Sequence, residues 1–137
     1  MNAMGAAAAL LATLAILHGQ TATAGQARTV DIGMYDSMRF APGELSVEHG
    51  ETIRFIVRNQ GKVQHEIVIG TRDDIANRRQ SGHHGHGAGS AMLHVAPGAS
   101  EQFLWQAELS GELEYACLLP GHYEAGMRGT ILVLPNP

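Results

Sequence analysis

The chain has 137 residues, 45% of them hydrophobic and 16% charged, with 9 basic residues against 13 acidic ones and a formal net charge of −4. That length fits one domain, and the lack of a basic stripe or a Lys/Arg run argues against nucleic acid as a partner. One cysteine, Cys117, excludes an intramolecular disulfide.

In chain order, an apolar run rich in Ala and Leu comes first, from Ala3 to Leu17, broken only by Gly5 and Thr13. The polar stretch His18-Gly19-Gln20-Thr21 follows, then Ala22-Thr23-Ala24. This is the pattern of a secretory signal peptide with a small-x-small cleavage site, although no Lys or Arg precedes the run. A bilayer-spanning helix needs about 20 apolar residues, so the run is too short for a membrane anchor. The sequence therefore predicts a signal peptide over 1–24 and one mature domain over 25–137. Export would be to the periplasm, with no membrane span left after cleavage. All 13 acidic and 9 basic residues lie in the mature part. Exported cysteines normally pair, so a lone one is either a buried apolar group or a ligand.

The mature part alternates with period two between Gly and Pro breaks. Val30, Ile32 and Met34 read as one strand; Phe40, then Leu45 and Val47, flank the turn Pro42-Gly43. Ile53, Phe55 and Val57 face one way against Thr52, Arg54 and Arg58. His65, Ile67 and Ile69 alternate with Glu66 and Val68. Phe103 and Trp105 follow, then Leu113, Tyr115 and Cys117 against Glu112 and Glu114, and finally Ile131 and Val133. Seven to eight short strands of this kind predict an all-β, Greek-key β-sandwich. A short helix is expected over Thr71 to Gln80, with Thr71 as its cap and Asp73 and Asp74 in its first turn. Ser81 to Ser90, rich in Gly and His, reads as a mobile loop. Met34 and Met38 could add thioethers but, like Trp105 and Tyr115, are expected in the core, and His49 is expected exposed in a turn.

Two segments carry chemistry: Gln64-His65-Glu66-Ile67-Val68-Ile69, and Cys117-Leu118-Leu119-Pro120-Gly121-His122-Tyr123-Glu124-Ala125-Gly126-Met127. Strand parity points His65 and Cys117 inward at strand ends. Pro120-Gly121 then turns the chain, so that His122 and Met127 can return towards Cys117. Two imidazoles, a thiolate and a thioether select copper, and His2Cys with a weak axial Met is the blue-copper electron-transfer set. One cysteine is too few for a dinuclear centre. Ala116 and Leu118 beside it leave no histidines to reach a trinuclear cluster, so no enzyme is expected. A second, looser copper site is a candidate at His83, His84, His86, Met92 and His94, because His-rich tracts bind metals. Its alternative is a solvated Gly-rich loop.

Cys-Leu-Leu-Pro-Gly-His followed by Met-Arg-Gly-Thr resembles the copper loop of the plastocyanin/azurin-type cupredoxins, and His65 before a β-branched strand resembles their upstream ligand. The nearest resemblance is to a periplasmic branch linked to copper tolerance. It implies a cupredoxin fold with one type 1 copper per chain, held by His65, Cys117, His122 and Met127. It also implies that a redox partner docks near His122, with Leu118, Leu119 and Pro120 as the surrounding apolar patch. In plastocyanin and azurin the first His is followed by an Asn that ties the ligand loops together; here Glu66 stands in its place. Three roles are compatible with these readings: an electron carrier, a copper-tolerance protein using the His-rich loop 81–94, and a domain that has lost its metal.

Overall fold

The computed structural model describes residues 26–81 and 91–136. The expected leader, 1–24, lies outside the described residues, as do His83, His84 and His86. Among the described residues the elements are β1 (Arg28–Tyr35), β2 (Arg39–Ala41), β3 (Glu44–Glu48), β4 (Thr52–Asn59), β5 (His65–Gly70), α1 (Arg72–Ser81), β6 (Ala91–Val95), β7 (Ser100–Gln106), β8 (Gly111–Ala116) and β9 (Arg128–Leu134). The strands form two mixed sheets, ordered β2-β1-β4-β7 and β3-β9-β8-β5-β6. β1 runs parallel to β4, with Val30 opposite Phe55, and β3 runs parallel to β9, with Val47 opposite Val133.

The alternation explains the sandwich. Ile32 and Met34 of β1, Ile53, Phe55 and Val57 of β4, and Trp105 of β7 belong to the same buried cluster as Ile67, Ile69, Leu113, Tyr115, Ile131 and Val133 of the other sheet. Each such side chain, removed from water, contributes about 1.5–3 kcal/mol. Met34, Trp105 and Tyr115 are thus core residues, as expected. No helix among the described residues is long and apolar enough to cross a membrane.

Three expectations need correction. The described residues hold nine strands rather than seven to eight. Pro42-Gly43 separates β2 from β3, and β6 runs over Ala91–Val95 inside the stretch read as loop. β6 forms because its backbone pairs antiparallel with β5, setting Met92 opposite Val68 and His94 opposite Glu66. Met92 and His94 are therefore strand residues, not members of a His-rich loop. Next, β5 is buried on both faces, where alternation predicts one. Its second face is covered because Ile75 of α1 packs with Val68 and Ala116, joined by Met92, Leu118 and Tyr123. Finally, His49 is half-buried, its Nε2 lying 3.0 Å from the Glu108 carbonyl.

The helix starts where the sequence places it. Thr71 Oγ1 accepts the Asp74 N–H at 3.1 Å, and Asp74 Oδ2 accepts the Thr71 N–H at 3.1 Å, a reciprocal capping box.

Candidate metal centre

The four residues singled out in the sequence arrive from two strand ends and one loop. His65 opens β5, Cys117 directly follows β8, and His122 and Met127 lie in the connection to β9. His65, Cys117 and Met127 are fully buried, and His122 is half-buried. The connection folds back through its own backbone. His122 N–H donates to the Leu119 carbonyl at 3.0 Å, Met127 N–H to the His122 carbonyl at 3.0 Å, and Cys117 N–H to the Met127 carbonyl at 3.0 Å. These bonds fix the three ligand-bearing residues to one another. Gly121 and Gly126 make the reversal possible by adopting φ of 80° and 102°, which residues with a Cβ resist. Arg39 reinforces it from β2, donating from Nη1 to the Ala125 carbonyl at 2.8 Å.

Two of the donors meet on His122. Its Nδ1 lies 3.3 Å from His65 Nδ1 and 3.3 Å from Cys117 Sγ. The ligand atoms of His65, Cys117 and His122 all lie within 4.8 Å of one another. Both imidazoles thus offer Nδ1. In the metal-free site burial pushes the Cys117 thiol up, opposed by backbone N–H groups of Glu66 and Leu119 directed at the sulfur. Burial, followed by the neighbouring His65, holds His122 below the ordinary imidazole value. A soft cation that displaces the thiol proton relieves both penalties at once, because it supplies the positive charge that a buried thiolate lacks.

The groups outside the donor set differ in how far the sequence disclosed them. Glu66, noted as a departure from Asn, is 1% exposed. Its Oε1 accepts the Leu118 N–H at 2.9 Å, its backbone N–H points at Cys117 Sγ at 3.4 Å, and His94 Nε2 lies 2.7 Å from its Oε2. Glu66 therefore ties the His65 strand to the Cys117 loop, the role the resemblance gives to Asn, with an added link to β6. Asp36 was not singled out in the sequence. Its Oδ1 lies 3.1 Å from His65 Nε2, on the far side of the ring from the donor cluster. No local motif announces it, since it comes from the β1–β2 turn.

The remaining expectations divide. Pro120 is exposed, and Leu118 and Leu119 are half-buried, each packing part of its side chain against a buried cluster. Of the candidate second site, Met92 and His94 share the outer face of the β5–β6 ladder with Glu66 and border a cleft of about 290 Å³. Arg78 and Arg79 border the same cleft, Arg79 paired with Glu124 at 2.7 Å.

Residues 26–134 match the family of copper binding proteins, plastocyanin/azurin family. The chain is 40% identical over 120 residues to the copper-resistant cuproprotein CopI of Rubrivivax gelatinosus, covering 85% of this chain and 73% of that protein. It is 33% identical over 150 residues to the protein of the same name from Pseudomonas aeruginosa, covering 85% and 82%. Among solved structures, the reduced auracyanin of Roseiflexus castenholzii superposes with a TM-score of 0.69 at 27% identity, covering 81% of this chain and 100% of that one. The donor chemistry fits this match. His65, Cys117, His122 and Met127 form a type 1 copper-like site.

Proposed function

Starting from the premise that this chain belongs to the plastocyanin/azurin family of copper-binding proteins, we propose that it is a periplasmic type 1 copper protein acting in copper tolerance through one-electron chemistry. The observation that carries the reading is the meeting of His65 Nδ1, Cys117 Sγ and His122 Nδ1, with Met127 on the same hydrogen-bonded loop. In this reading these four residues are the ligands, and copper bound there supplies the one-electron couple. The relatives named copper-resistant cuproprotein support the tolerance role. The likeness to an auracyanin solved in its dithionite-reduced form supports the redox role.

The chain's own residues do the rest. Two buried strand ends and the backbone-bonded loop hold the donors in place, so that little has to move between the two copper oxidation states. Half-buried His122 brings one ligand edge towards solvent, and a partner would dock there in a small, brief contact. The leader-like sequence over 1–24 supports export and a mature domain over 25–137.

Electron paramagnetic resonance with metal analysis on the copper-loaded protein tests the reading. One copper per chain with the narrow hyperfine splitting of a type 1 centre is expected. A signal of ordinary tetragonal copper, or no stoichiometric binding, would refute it.

A further inference from the structure

We infer that Asp36 is a positioning residue for the copper centre: it fixes His65 with Nδ1 towards the metal and places a carboxylate behind the ring that favours Cu(II) over Cu(I). The inference rests on the copper reading above and concerns how that same site is tuned.

The arrangement is built rather than incidental. Asp36 sits in the β1–β2 turn, two residues before Met38, which holds a positive φ of 57°. A non-glycine residue in that region signals a turn held by its surroundings. From this turn the Asp36 carboxylate crosses to the loop before β5. Oδ2 accepts the Lys62 N–H at 2.7 Å, and Oδ1 lies 3.4 Å from the Val63 N–H and 3.1 Å from His65 Nε2. Gly61 makes room for it: a Cβ on Gly61 would stand 1.8 Å from Asp36 Oδ1. Two backbone donors and a missing side chain thus form a cradle for one carboxylate, whose remaining partner is the buried ring.

The chemistry follows from the two ring nitrogens. His65 Nδ1 faces His122 Nδ1 and lies in one donor group with Cys117 Sγ, so Nε2 carries the proton and donates it to Asp36. That hydrogen bond selects the tautomer that leaves the Nδ1 lone pair free. A carboxylate acceptor also makes the ligand nitrogen more basic, and loss of such a partner typically costs about 10–100-fold in metal affinity. The added negative charge stabilises a doubly charged ion more than a singly charged one, so it lowers the reduction potential.

The test compares the wild-type protein with Asp36→Asn and Gly61→Ala, each copper-loaded, by Cu(II) competition titration and redox titration. Asp36→Asn keeps the size and removes the charge. It should retain the type 1 resonance, bind Cu(II) roughly tenfold less tightly with Cu(I) affinity held, and so raise the potential by about 59 mV. Gly61→Ala displaces an intact Asp36 from the cradle and should raise the potential in the same direction, which keeps the test open if Asp36→Asn does not fold. In the metal-free protein, nitrogen NMR of the His65 ring should show the proton on Nε2, and Asp36→Ala should lose that preference. Wild-type potential and Cu(II) affinity in a folded Asp36→Asn or Gly61→Ala protein overturn the inference while leaving the copper reading intact. A wild-type protein without a type 1 signal defeats the copper reading itself.

Discussion

Glu66 gives the sharpest test of how the ligand loops are joined. In Glu66→Leu the side chain stays of similar bulk, but the Leu118 N–H, 2.9 Å from Oε1 in the parent, is left without its acceptor beside the core. An orphaned buried N–H costs about 1–3 kcal/mol. His94 adds little to that figure, because its side chain is 47% exposed and water can replace the carboxylate. For a domain of this size about 1 kcal/mol corresponds to roughly 4 °C, so the metal-free variant should melt about 4–12 °C below the parent. Glu66→Gln is the control: its carbonyl can still accept from Leu118, and its amide can still meet His94, so it should lose under about 1 kcal/mol. Thermal unfolding of the metal-free proteins followed by circular dichroism measures both. Should Glu66→Leu melt with the parent, or Glu66→Gln melt as low as Glu66→Leu, the carboxylate does not join the loops as argued.

Other outcomes follow from the same geometry. Cys117→Ala should abolish the intense thiolate-to-copper absorption, whereas Met127→Leu should keep copper and shift its potential, since the thioether would be the weakest of the four ligands and tunes the potential more than it holds the metal; absorption spectra and redox titration separate the two. Replacing residues 82–90 with a Gly/Ser linker removes His83, His84 and His86 but spares Met92 and His94 in β6. Metal analysis should then show the type 1 copper retained and any further copper lost, and an unchanged total removes the case for a second site on those histidines. In the metal-free protein His122 is held below its ordinary value of 6.5, first by burial and then by His65. The unfolded chain therefore takes up that proton first, so stability should fall as pH drops from 6.5 towards the folded value and level off beneath it. Denaturant titrations above and below that window measure the slope, and His122→Asn should flatten it. Asp36, also held low, acts separately, below its own ordinary value of 3.8.

The ligand set was legible because each ligand carries a local signature. Parity aims His65 and Cys117 inward at strand ends, and the Pro120-Gly121 turn with the spacing of the loop brings His122 and Met127 back towards them. The core was legible for the same reason, as Ile53, Phe55 and Val57 show. Thr71 as a cap, with Asp73 and Asp74 in the first turn, announced the helix start, and the structure adds the reciprocal bonds between Thr71 and Asp74.

β6 was not legible, since Ala91–Val95 becomes a strand only through its pairing with β5. Nor was the burial of Glu66 and Val68, which alternation assigns to solvent until the helix and the neighbouring strand cover that face. The sequence by itself determined the fold class, the inward faces and the four donors, because periodicity and spacing are properties of neighbours along the chain. Only the tertiary structure decided which carboxylates support those donors. Asp36 meets His65 across 29 positions, and Glu66 meets Leu118 across 52. Contacts at that separation leave no pattern in the local sequence, because they are set by how the strands and loops pack together.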